Sequence, residues 1–228
     1  MIGIIVAEPE ELNAIKEYLT GYIVEEEFDI KFYVGDIGNR RFALTLGGLG
    51  KVNAARTTQL LIDTYKPDYV INCGVAGGIS DLVNAGDIVI AEKVAQHDFD
   101  LTAFGREKGE VSDKVPKYLY SNKTLVQKAY MKILNDETIS GIVGTIVSGD
   151  QFVTDPNEAS KIHEIFDADC CEMEGAAVAQ VCYLDDTPFI IIRCISDTPN
   201  NNNKVEFDKF IKYSSGVVSK LIYAIIND

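Results

Sequence analysis

Acidic side chains gather where this chain leaves its apolar runs. Glu8, Glu10 and Glu11 follow Ile2–Ala7, Ser148–Val153 follows Ile142–Val147, and Ser196-Asp197 closes Phe189–Ile195. Glu172-Met173-Glu174 opens a stretch that reads as helix to Tyr183, and the glycine-rich Gly74–Gly78 follows Tyr69–Cys73. In open α/β sheets the ligand lies beyond the carboxyl ends of the strands. If these ends converge, they enclose a glycine-lined pocket with several carboxylates, the rings of Phe152 and Phe207, and one strand-borne cation, Arg193. Such a pocket can give and take protons, and it can face positive charge developing on a bound molecule.

Each feature also has a purely structural explanation. Glycines after strands serve chain reversal, and Gly74–Gly78 is neither a GxGxxG fingerprint nor a P-loop. Glu8 and Glu10 complement the dipole of the helix they open. Asp197 can cap a loop, and Phe207 can be core. Arg193 is harder to place this way. Inside the apolar run Ile190–Ile195 a guanidinium needs an anionic partner, and Glu174 is the expected one. Taken together, acids at successive strand ends favour a site.

The elements that must position these residues alternate between short β-branched runs and segments of helical period. Ile2–Ala7 reads as a buried strand, with Pro9 starting a helix that carries Leu12, Ile15 and Leu19. Phe28–Gly35 and Arg40–Leu46 read as strands joined at Gly38-Asn39. Gly47–Lys51 opens a helix with Val52, Ala55, Leu60 and Leu61 that stops before Pro67. Asp87–Ala95 has β character, residues 98–118 are irregular, and helices are expected at Leu125–Leu134 and around Ile162 and Ile165. Asn200–Asn203 reads as a polar loop. A last helix follows, with Phe207, Phe210, Ile211, Val217, Val218, Leu221 and Ile225 on one face. No linker or repeat interrupts the pattern. Residues 1–228 are expected to form a single α/β domain with a mixed, mostly parallel central sheet flanked by helices.

Composition narrows the partners. The 228 residues carry a net charge of −14, which repels polyphosphate backbones and anionic lipid, so neither nucleic acid nor membrane is an expected partner. No apolar run approaches a bilayer span, and Ile2–Ala7 lacks the basic flank and cleavage site of a secretory signal. Cys73, Cys170, Cys171, Cys182 and Cys194 form no CxxC and read as buried, reduced thiols of a cytoplasmic protein. His97 and His163 stand far apart, so no metal is expected.

Several segments, in order along the chain, sharpen the reading. Leu49–Ala55, Asn72–Gly78, His97–Gly105, Ser148–Phe152, Glu172–Ala176 and Ile195–Asp197 together resemble bacterial methylthioadenosine/S-adenosylhomocysteine nucleosidases, of the nucleoside phosphorylase superfamily. The resemblance covers essentially the whole chain. It implies a nucleoside phosphorylase-like fold and a homodimeric, cofactor-free hydrolase acting on a small nucleoside. The bond cut is the N-glycosidic bond of methylthioadenosine, S-adenosylhomocysteine or 5′-deoxyadenosine, releasing adenine. Carried over by position, Asp197 protonates the leaving adenine, Glu11 deprotonates the attacking water, and Glu174 holds the ribose hydroxyls. Met173 packs on the sugar, with Arg193 near Glu174 and the water. Phe152 stacks on adenine, the main chain of Val153 reads its edge, and Phe207 covers the sugar and thioether. Val75, Ala76 and Gly77 line the site, and Glu172 and Ser196 join the substrate-binding set. Leu101 and Phe104 belong to the thio-substituent pocket of the neighbouring subunit.

The chemistry accounts for these residue types. Breaking the bond builds positive charge on the sugar and negative charge on the base, and a positioned general acid at the base is worth ~10²–10⁴-fold. Acid on one face, with base and water on the other, follows the logic of inverting glycoside hydrolysis. Asp197 must be protonated with substrate bound, so burial or hydrogen bonding is expected to raise its pKa. Phosphorolysis competes, but a carboxylate ~4 Å from phosphate costs about 4 kcal/mol per charge pair at an effective dielectric near 20, and Glu11 therefore favours water. A non-catalytic nucleoside-binding protein is the alternative of another class, against which Asp197, Glu11 and Glu174 together argue.

Two departures from the family pattern stand out. Val75 occupies a position where some relatives have Ser, which removes a possible donor to the water. Arg106 replaces a frequent aromatic residue, and Ser112 lies near a frequent proline. Arg106 is read as a solvated loop charge, with contact to the carboxylate of a homocysteinyl tail as the sharper alternative.

Overall fold

A computed structural model describes residues 1–19, 21–198 and 203–227. The β-branched runs fold as strands and the segments of helical period as helices. In order they are β1 (Ile2–Val6), α1 (Pro9–Lys16), β2 (Ile23–Glu27), β3 (Ile30–Ile37), β4 (Arg40–Leu46), α2 (Lys51–Tyr65), β5 (Tyr69–Gly78) and β6 (Ile88–Gln96). After a short 3₁₀ turn at Thr102–Phe104 come β7 (Leu119–Tyr120), α3 (Lys123–Leu134), β8 (Gly141–Ser148) and α4 (Pro156–Phe166). The chain continues through β9 (Cys170–Glu172), α5 (Gly175–Leu184), β10 (Phe189–Asp197) and α6 (Asn203–Ile226).

The centre of the sheet is parallel, with β1 between β4 and β5, and β5 beside β10. Past Asn72, β5 leaves β1, and its Gly77 and Gly78 pair antiparallel with β9. From β9 the pairing runs in parallel through β8 to β6, and β6 returns antiparallel to β10. Strands β5, β10, β6, β8 and β9 thus close a ring. The antiparallel strands β2 and β3 extend the sheet outward from β4, and β7 adds to β6.

Period-two alternation decides what each face buries. Ile4, Ile71, Ile190 and Ile192 pack with Ile15, Ile133, Leu221 and Ile225 of α1, α3 and α6. Their neighbours Ile5, Val70 and Ile191 pack with Ala54, Leu61 and Val178 of α2 and α5 on the opposite face. Fully burying one such aliphatic side chain contributes about 1.5–3 kcal/mol, so the strand ends are carried on a stiff support. All five cysteines are free and buried. Among the described residues no helix is long and apolar enough to cross a membrane.

The structure departs from the sequence pattern in specific places. Gly74–Gly78 is the end of β5, not a turn, because β10 and β9 supply its hydrogen-bond partners. Glu172 ends strand β9, and helix α5 begins only at Gly175. The solvated strand β2 has no buried face to mark it, and Phe28 sits in the turn after it at φ 50°. On α2 the buried positions are Ala54, Thr57, Thr58 and Leu61, while Val52 is 79% exposed. Ile165 and Phe210 also face outward. Of the expected Asn200–Asn203 loop, residues 200–202 lie outside the described residues, and Asn203 already belongs to α6.

Candidate active site

A cavity of about 490 Å³ opens where β1, β5, β8, β9 and β10 deliver their last residues. Twelve of the positions expected from the sequence line it. They are Glu11 from α1, Val75, Ala76 and Gly77 from β5, Phe152 and Val153 after β8, Glu172, Met173 and Glu174, Ser196 and Asp197 from β10, and Phe207 from α6. The cavity also recruits Ala7, Glu8, Leu49, Gln151 and Cys171. Leu49 and Gln151 were legible as members of the motifs quoted above. Glu8 stands among the strand-end acids although the helix dipole suffices to explain it, and Cys171 carries no signal beyond that of a buried thiol.

Glu11 is buried at the start of α1. Its Oε2 accepts from the amides of Ala7 (2.9 Å) and Glu8 (3.0 Å), and its Oε1 from the amide of Val75 (3.0 Å). Burial pushes its pKa up, against the pull of Arg193 and of these amides. A Cβ on Gly74 would collide with Oε1, so glycine is the residue that lets β5 pass this close to the carboxylate.

Three carboxylates surround one guanidinium. Arg193 is buried behind the cavity wall, where Nη2 donates to Asn72 Oδ1 (2.6 Å) and to Glu172 Oε2, and Nη1 donates to the Ile192 carbonyl (3.1 Å). Its partner is therefore Glu172, not the expected Glu174. The reason is register: β9 pairs with β8 so that Glu172 lies opposite Ser148. Glu174, two residues on, points to Gly50, whose amide donates to Oε1 at 2.8 Å. Burial, and then the neighbouring Glu172 charge, lift the Glu174 pKa to about 8. Burial acts to raise Glu172 as well, but Arg193, the Ser148 hydroxyl and the Gly175 amide together hold it below the ordinary range.

Asp197 is buried at the end of β10, where Ser196 Oγ donates to its Oδ1 (2.7 Å). The other oxygen, Oδ2, faces Gly77 across a gap in which a Cβ would stand 3.4 Å away. Phe152 and Phe207 meet edge to face at 5.7 Å between ring centres and form the outer rim.

A polar latch ties the loop before α2 to the loop after β8. Lys51 is ion-paired with Asp98 and donates to Gln96 Oε1 (2.9 Å), its amide donates to Asp150 Oδ1 (2.8 Å), and the Asp150 amide donates to Asp98 Oδ2 (2.9 Å). Gly50 holds φ +87°, a conformation glycine adopts freely, and this aims its amide at Glu174. Leu101 and Phe104 stand outside this cavity, with Phe104 82% exposed on the 3₁₀ turn. Arg106 is engaged by Glu110 and Asp113, both at 2.8 Å.

Residues 1–227 match the family model of the phosphorylase superfamily. A 5′-methylthioadenosine/S-adenosylhomocysteine nucleosidase of Staphylococcus aureus (strain MRSA252) is 38% identical over 228 residues, covering 100% of this chain and 99% of the relative. Among solved structures, the corresponding nucleosidase of Neisseria meningitidis, in complex with methylthio-immucillin-A, superposes with a TM-score of 0.95 at 34% identity, covering 99% of this chain and 98% of that one. The futalosine hydrolase of Helicobacter pylori strain 26695 superposes equally well, with a TM-score of 0.95 at 29% identity over 99% and 97% of the two chains.

Proposed function

The chain belongs to the phosphorylase superfamily and, within it, to the methylthioadenosine/S-adenosylhomocysteine nucleosidases, and we propose that it hydrolyses 5′-substituted adenosines with Asp197 as general acid and Glu11 as general base. One observation carries the assignment of roles. The amide of Val75 holds Glu11, and two residues along the same strand Gly77 faces Asp197. That step is roughly 7 Å along a strand. An inverting pair of carboxyl groups needs about 6.5–9.5 Å to admit a glycosyl centre and a water.

In this reading adenine sits against Phe152, with the main chain of Val153 at its edge and Asp197 at its five-membered ring. Asp197 gives up its proton as the bond breaks, so the base leaves neutral. The sugar cation faces the carboxylate of Glu11 in a site closed off by Met173 and Phe207. Glu11 takes a proton from the water that adds to the sugar carbon, and Glu174 keeps the ribose hydroxyls in register. Substrates lacking sulfur, such as 5′-deoxyadenosine, use the same base and sugar contacts.

Water is favoured over phosphate because Glu11 stands at the sugar end. Among the described residues, no lysine or arginine lines the cavity, and Arg193 is already committed to Glu172 and Asn72. A homodimer fits the same picture. Leu101 and the exposed Phe104 then cover the partner's cavity, with the Lys51–Asp98 pair bracing their loop. Free buried thiols suit a reducing cytoplasm. The elements that build the cavity run from α1 to α6, which supports reading the chain as one domain.

The test is Asp197→Asn. Adenine release is expected to fall by at least ~10²-fold, the lower bound for a positioned acid. Binding of a non-hydrolysable adenosine analogue should stay within about tenfold. Turnover comparable to the unmodified enzyme would refute the role given to Asp197.

A further inference from the structure

We propose that Glu172, braced by Ser148, is a positioning residue that withholds Arg193 from Glu11 and Glu174, leaving Glu11 to serve the water and Glu174 to serve the sugar hydroxyls. The proposal rests on the nucleosidase reading and reassigns Glu172, which the sequence placed among the groups that touch substrate.

The hydrogen-bond inventory of Glu172 carries the argument. Its Oε2 accepts from Arg193 Nη2, from the Glu174 amide (3.0 Å) and from the Gly175 amide (2.8 Å), and its Oε1 accepts from Ser148 Oγ. Both oxygens are occupied from inside the protein. Ser148 is itself fixed, because its Oγ accepts from the Ala176 amide at 2.7 Å. Glu172 thus caps the first turn of α5 from outside the helix and fixes where Glu174 emerges. At the same time it neutralises the one buried cation that the three carboxylates share.

Without Glu172, the guanidinium has Glu174 and Glu11 as its remaining anions, since both already act on it electrostatically. An ion pair with Arg193 would take Glu11 away from the water, would hold Glu174 ionised where the fold now favours its protonated form, and would draw either side chain off its amide donors. The elevated pKa of Glu174 agrees with this arrangement, the charge of Glu172 being the largest contribution after burial. Asn72 completes the restraint: its Oδ1 takes the other bond of Nη2, while its own Nδ2 is tied to the Ile5 carbonyl at 3.0 Å.

The experiment uses Glu172→Gln and, as a variant that keeps the buried charge pair, Ser148→Ala. The carboxyl group of Glu174 is titrated by ¹³C NMR in the full-length protein, alongside the pH profile of adenine release from methylthioadenosine. In Glu172→Gln the Glu174 titration should move down by more than one pH unit, and kcat should fall at least 30-fold while KM changes less than threefold. Ser148→Ala should move both readouts in the same direction, with kcat down roughly threefold to tenfold. An unchanged Glu174 titration in a folded variant overturns the proposal. If Glu172→Gln does not fold, the titration in Ser148→Ala decides. Failure of the unmodified protein to release adenine would overturn the nucleosidase reading instead, and the titration would still judge Glu172.

Discussion

The inner end of the cavity and its outer wall are held by different forces. Inside, Glu11, Glu172, Glu174, Arg193 and Asp197 are all buried, and each is hydrogen-bonded to main chain or to a neighbouring polar side chain on a strand or helix end. Outside, Phe152 is 42% exposed, and beyond the cavity the loop carrying Leu101 and Phe104 continues into surface ion pairs such as Arg106 with Glu110 and Asp113. Breaking a buried charge pair costs about 3–5 kcal/mol, whereas an exposed pair contributes about 0–1 kcal/mol. On the proposed reading, reaction chemistry belongs to the buried inner end, and the choice of 5′ tail to the more exposed groups, which can change cheaply.

The comparison can be broken from the inside first. Glu11→Gln should reduce kcat by ~10²–10⁴-fold, the value of a positioned proton acceptor. A loss below tenfold would place water activation elsewhere. Gly74→Ala removes no reacting group but drives a methyl group into Glu11 Oε1 and displaces that carboxylate. Misplacement on the order of 1 Å can cost ~10²-fold, so kcat should fall by about that factor with KM nearly constant. Phe152→Ala removes a stacking surface worth about 1–3 kcal/mol per base, which should appear as a rise in KM of roughly fivefold to a hundredfold with kcat preserved.

A stability measurement sharpens the inner half. The pKa of Glu174 is raised from 4.5 in the unfolded range to about 8 in the fold. The fold thus favours its protonated form, and that preference is lost as pH climbs from 4.5 through 8. Relative to the native protein, Glu174→Gln should gain melting temperature across that interval and level off above it. A variant that becomes less stable than the native protein as pH rises would contradict the assignment. The smallest effect belongs outside. Arg106→Ala should leave the ratio of kcat/KM for homocysteinyl-tailed over methyl-tailed substrate within about twofold, because Glu110 and Asp113 already engage the guanidinium. A larger change would mean that Arg106 reads the tail.

The same division explains what could be read from the sequence. The runs Ile2–Ala7 and Phe189–Ile195 announce their strands through near-continuous apolar character, and residues that close or follow them, Ala7, Glu8, Ser196 and Asp197, line the cavity. The identity of Arg193's partner could not be read, because Glu172 and Glu174 are chemically alike and only the pairing of β9 with β8 separates them. The three residues of β9 are too few to show a period, so Glu172 looked like the start of α5. Glu8 combines two roles, opening α1 and lining the cavity, and its position in sequence is compatible with either, the helix dipole being enough to explain it. Strand β2, with acidic residues on both faces, pairs only because β3 offers an edge.

Adenine release from methylthioadenosine, measured with and without inorganic phosphate and with the sugar product identified, tests the central claim most directly. The account predicts adenine and free methylthioribose at a rate that does not depend on phosphate. Methylthioribose 1-phosphate, formed only when phosphate is present, would contradict it.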